Sequence, residues 1–168
     1  MEFIIEAVDF VFNEKIKVPL LTFCTQCRFV RRLASSNERV LYKRKCDFSD
    51  KDIFSMYPGD APFPVYNTDD WYGDAWDPYQ YGMDYDFSKP FFEQFRELQN
   101  KVPKMALVRQ GLSVNSPYVH RVTDPKNSFM VFRATTPTDS FYSYTVEKIK
   151  DSSDCFWCSN IDLCYECI

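Results

Sequence analysis

Residues 155–168 constrain this chain more than any other stretch, because they hold four of its seven cysteines as two C-x-x-C pairs. Cys155 to Cys164 and Cys158 to Cys167 are each nine residues apart, and Phe156 or Tyr165 follows the first cysteine of each pair. Four thiolates spaced in this way suit a zinc tetrahedron. They equally suit a repeat in which equivalent residues stack on successive rungs. The upstream sequence favours the repeat. Ser128-Phe129 and Ser140-Phe141 align with the Cys-aromatic pairs, with serine in place of cysteine. The intervals of twelve, fifteen and nine residues predict short stacked strands joined by loops of variable length.

A chain of 168 residues with 18% aromatic content buries a genuine core. The net charge of −4 argues against a general nucleic-acid binder. Acids occupy Met1 to Glu6, where a secretory signal needs bases, and no apolar run reaches membrane-spanning length. An odd number of cysteines, mostly in C-x-x-C pairs, fits a reducing compartment, either the cytoplasm or a virion.

The expected class is α+β in three regions that form one compact unit. Residues 1–57 carry a zinc-knuckle-like hairpin, 58–103 an acidic-aromatic loop and helix, and 104–168 the β-solenoid-like Cys/Ser-aromatic rungs. Cys24, Cys27 and Cys46 hold zinc only if a fourth ligand comes from elsewhere; otherwise they form a knuckle whose thiols simply pack. The basic run Arg28, Arg31, Arg32, Arg39, Lys43, Arg44 and Lys45 suits phosphate or pairs with the acidic block that follows. Ten aspartates from Asp47 to Asp86 are interleaved with rings. They match neither an EF-hand nor, without a supporting motif, a glycosidase dyad. An ordered loop with inward rings and capping or ion-paired aspartates is the preferred reading. Phe91, Phe92, Phe95, Leu98 and Val102 follow the helical period and predict a core-packing amphipathic helix over about 89–102. His120 has no nucleophile partner in sequence, so hydrolase chemistry has little support.

Several segments together resemble a known family. They are Cys24-x-x-Cys27-Arg28 with Arg31-Arg32-Leu33-Ala34, Asn37-Glu38-Arg39-x-Leu41-Tyr42-Lys43-Arg44-Lys45-Cys46-Asp47, and Trp76-Asp77-Pro78 with Tyr81-Gly82-x-Asp84-x-Asp86-Phe87-Ser88-x-Pro90-Phe91-Phe92-Glu93-Gln94-Phe95, followed by the Cys-aromatic ending. The family is an uncharacterised, cysteine-rich, zinc-ribbon-like one of environmental bacterial and viral sequences. The resemblance covers most of 18–168 and implies no known activity. Relative to it the chain lacks a C-x-x-C upstream of Phe3 and the further rungs beyond Ile168, so it resembles a shortened form. Its strand edge at Cys164 to Ile168 then needs cover from another chain.

The expected function is that of a non-enzymatic structural or interaction protein in an assembly such as a virus or phage particle. Protein partners or self-association through the C-terminal edge would supply the contacts, with no membrane involved. The alternative is a zinc-dependent nucleic-acid-binding module using the basic run 28–45. An enzyme ranks third.

Overall fold

The structure, a computed structural model, describes residues 3–34 and 36–168. It divides into two compact units, 1–37 and 38–168. The boundary thus falls at 37/38, and the hairpin expected within 1–57 belongs to the second unit.

The first unit holds α1 (Ala7–Ile16) and α2 (Thr25–Leu33). Glu6 and Asp9 form a reciprocal capping box at the start of α1, and Lys17 ends it in left-handed geometry. Asn13 is buried and donates from Nδ2 to the Pro19 carbonyl. Cys24 caps α2, its Sγ accepting the Cys27 N–H at 3.4 Å. Phe29, Val30 and Leu33 lie on α2, and all three are exposed.

The second unit opens with the expected hairpin, β1 (Tyr42–Lys45) against β2 (Asp52–Ser55), antiparallel. Strand β3 (Val65–Tyr66) pairs parallel with β4 (Lys104–Met105), and α3 (Thr68–Tyr72) follows β3. Cys46, Ile53, Val65, Tyr66 and Ala106 form their shared core, with Trp71 and Trp76 packed on it. A 3-10 turn starts at Pro78, where Asp77 accepts the Tyr79 N–H as a cap. These features match the reading of the acidic loop, although Tyr79 and Phe87 point outward, 91% and 93% exposed.

Helix α4 (Phe91–Lys101) lies within the expected bounds but is not a core helix. None of its residues is buried, and Phe92 is 79% exposed. The 3.6-residue period correctly gave a one-sided apolar helix. The period does not encode what covers that side, and within this unit the helix lies against the loop at Met83, Tyr85 and Asp86.

The rest is a right-angled coil of unusual regularity. It contains β5 (Arg109–Gln110), β6 (His120–Thr123), β7 (Phe132–Thr135), β8 (Thr138–Phe141), β9 (Tyr144–Ser153) and β10 (Ser159–Asp162), all paired in parallel. His120 stands beside Phe132, Phe132 beside Tyr144 and Tyr144 beside Phe156, so one turn takes twelve residues. Every third residue from Arg121 to Glu166 has positive φ, between 45° and 57°. Each side of the coil is therefore a triplet: one residue inward, one outward and one in left-handed geometry that turns the corner. Four such corners close a turn.

The expected solenoid is present, but the expected variable loops are not. The intervals of twelve, fifteen and nine residues are one turn, one turn plus a triplet, and one turn minus a triplet. Ser128, Ser140 and Cys164 share one inward column with Ser116 and Ser152, whereas Cys155 belongs to the next column with Val119, Val131, Ser143 and Cys167. Cys155 and Cys164, nine residues apart, thus lie on neighbouring sides of the coil.

Only small or β-branched side chains fit inside so narrow a turn. The third column is Val122, Ala134, Val146 and Cys158, and the fourth is Pro125, Pro137, Ile149 and Ile161. The buried cluster draws on these columns. The inward serines also join successive turns. Ser143 Oγ donates to the Phe141 carbonyl at 2.9 Å and accepts the Cys155 N–H from the next turn at 3.2 Å. Ser152 does the same with Lys150 and Cys164. The first turn is one residue longer, with Arg109 facing Val122. Gly111 takes φ +67° there, and a Cβ on it would lie 2.0 Å from Asp124 Oδ1.

Candidate interaction surface

The cysteines fall into three settings. Cys24 and Cys27 sit at the first turn of α2. The Cys27 backbone N–H holds the Cys24 thiol below its usual range, while the hydrogen bond with Cys24 raises Cys27. Cys46 is fully buried in the second unit; it accepts the Asn67 N–H at 3.2 Å and donates to Asp70 at 3.4 Å. Cys155, Cys158, Cys164 and Cys167 are inward residues of the coil, donating to carbonyls two residues back. Burial raises the thiols of Cys155 and Cys164. Among the described residues, no three His, Cys, Asp or Glu side chains are grouped so as to hold a metal ion.

The basic run is dispersed. Arg28, Arg31 and Arg32 ride on α2 in the first unit; Arg28 donates to Thr25 and Arg31 lies 4.6 Å from the Phe23 ring. In the second unit, the Arg44 side chain is 6% exposed and donates to Asp47 and to the Pro58 carbonyl, each at 2.8 Å. Lys45 pairs with Asp52 at 3.1 Å. Lys43 precedes them on β1. Arg39 reaches the coil, its guanidinium 5.2 Å from the Tyr144 ring centroid.

That last contact belongs to a polar cluster that the sequence reading did not find. Glu38 accepts from Arg121 Nη1 at 2.7 Å and from the Tyr144 hydroxyl, with Arg133 at 3.9 Å. The Tyr144 hydroxyl above all, then Arg121 and Arg133, holds the Glu38 carboxyl below its ordinary range against the opposing effect of partial burial. Arg121 and Arg133 occupy equivalent corners of successive turns. Beside them Phe132, Tyr144 and Phe156 form one outward column. Phe156 stacks on Tyr144 at 5.7 Å with planes 13° apart, and Trp157 packs edge-on to Phe156 at 6.1 Å. The twelve-residue recurrence of arginine next to a ring was the available signal.

His120, the lone imidazole, is fully buried at the foot of this column, and its Nδ1 accepts the Val108 N–H at 3.1 Å. It is a core residue.

In lower turns the outward residue of each triplet points both backbone groups towards the next turn: Tyr144 donates to Cys155 and accepts from Trp157, and Ser153 donates to Cys164 and accepts from Glu166. By the same geometry, Ser159, Asp162 and Tyr165 aim an N–H and a C=O outward along the coil axis. No helix among the described residues is long and apolar enough to cross a membrane. No family model, curated protein or solved structure matches this chain.

Proposed function

We propose that the protein is a non-enzymatic structural or interaction component of a larger assembly, such as a virus or phage particle, and that it joins its neighbours through the far end of the coil. The observation that carries this reading is the last turn. Its outward residues present backbone donors and acceptors in pairs, as an antiparallel partner requires. Around them Trp157, Leu163, Tyr165 and Ile168 are 75%, 82%, 69% and 97% exposed. These four side chains offer on the order of 600 Å² of mainly apolar surface, close to the roughly 800 Å² per partner of a standard interface. The opposite end of the coil is occupied by the hairpin layer, where Phe54 packs on Tyr118 at 4.7 Å. A second copy therefore meets the first head to head, about a two-fold axis.

Size-exclusion chromatography with light scattering tests the reading. The expected result is concentration-dependent association that L163K/Y165K abolishes without altering the circular dichroism spectrum. A monomer at all concentrations into the tens of micromolar would overturn it. The alternative of nucleic-acid binding through residues 28–45 gains no specific support, because those side chains are split between two units and Arg44 is consumed internally.

A further inference from the structure

We propose that the coil face bearing Arg39, Arg133, Phe156 and Trp157 binds single-stranded nucleic acid, with bases stacked on the exposed rings and phosphates held by the guanidiniums. Trp157 also borders the coil end, so binding is read on the L163K/Y165K variant as well as on the parent.

Two kinds of group are needed for such a ligand, and this face brings them together. Bases need open aromatic surface: Trp157 is 75% exposed and Phe156 41%. The rings are already held, since Phe156 stacks on Tyr144 and Trp157 braces Phe156, so little side-chain freedom is lost on binding. Phosphates need cations in register with those rings. Arg121 and Arg133 pair with the Glu38 carboxylate and Arg39 lies over the Tyr144 ring, so these four side chains carry +2. Arg133 is 59% exposed and meets Glu38 only at 3.9 Å. Arg133 and Trp157 are corner residues two turns apart, about 10 Å at the ~4.8 Å spacing of paired strands, a span that the base and phosphate of neighbouring nucleotides bridge. A duplex hides its base faces, so the chemistry selects a single strand.

Fluorescence anisotropy with labelled oligo-dT and oligo-rU on the full chain tests this. The expected result is binding at low salt whose log–log salt slope is about −1.4, as two phosphate contacts on a single strand give. W157A should weaken it about tenfold, the usual scale of one lost stacked base, and R133A should weaken it and flatten the slope. Both side chains point outward, so thermal melts of the variants should match the parent. Competition by oligomers but not by a mononucleotide at the same concentration is expected, and equal competition by the mononucleotide would overturn the assignment to a strand. No binding at low salt would overturn the proposal. So would binding that survives W157A and R133A but is lost in R28A/R31A/R32A.

Discussion

At the residue scale, the inward serines are the smallest unit on which the coil depends. Ser143 is fully buried and satisfies one carbonyl of its own turn and one N–H of the next. Ser143→Ala leaves the Cys155 N–H buried without that acceptor, a loss of about 1–3 kcal/mol expected in urea unfolding. Ser143→Cys should cost clearly less, because Cys155 and Cys167 fill the same column higher up; equal losses for both variants would refute the hydrogen-bond account. Glu38 gives a pH-dependent counterpart. Its carboxyl is held below the ordinary value of 4.5, chiefly by the Tyr144 hydroxyl, so the fold favours the charged form. That stability is fully present above the ordinary value and disappears as pH falls through it and then through the lower folded value. Wild type should therefore exceed E38Q in stability at neutral pH, with the gap closing on acidification; a gap that widens in acid would refute this. In the first unit, the opposed shifts of Cys24 and Cys27 predict that Cys24 alkylates first near neutral pH, as peptide mapping after brief iodoacetamide treatment would show.

At the element scale, what was legible depended on whether the signal was local. The hairpin at Tyr42–Lys45 and Asp52–Ser55 and the bounds of α4 follow from turn residues, helical period and proline, all of which act within a few residues. Burial of α4 did not follow, since a period states which side is apolar and not what lies against it. Phe92→Ser should accordingly change stability by no more than about 0.5 kcal/mol, where a core position would lose about 3–5 kcal/mol; a thermal melt separates the two. The coil was legible as a repeat but not in its period. Its triplet places a left-handed residue at every third position, and most of these are not glycine, the residue that usually marks such geometry. The marks were there in another form: Asn115-Ser116, Asn127-Ser128, Asp139-Ser140 and Asp151-Ser152 recur every twelve residues, with Asn and Asp at corners they tolerate better than most residues. The corner side chains even bond in a ladder, Asn115 to Asn127 at 3.3 Å and Asn127 to Asp139 at 2.9 Å. The site on the Arg121–Trp157 face was illegible for the same reason, because residues twelve and twenty-four apart meet only once the period is known.

At the scale of the whole molecule, each left-handed corner costs about 1–2 kcal/mol for a residue with a side chain, and Thr136 and Thr145 are β-branched as well. No single triplet can hold such a backbone. The cost is met only because each turn offers its backbone groups and its inward column to the next, so stability resides between turns, as in other one-dimensional repeats. Register is then the property to perturb. Removing residues 136–147 takes out twelve residues and joins Thr135 to Lys148, leaving every inward column and corner in phase. Removing 142–147 keeps the triplet phase but rotates everything above by half a turn, so that Ile149 takes the place of Ser143 above Val131 and the Ser-to-N–H bridges are lost. The twelve-residue deletion should retain a cooperative melt and a parallel-sheet spectrum despite losing more surface. The six-residue deletion, though smaller, should be much less stable. Equal stability of the two, or greater damage from the longer deletion, would show that buried area rather than column register holds the coil together.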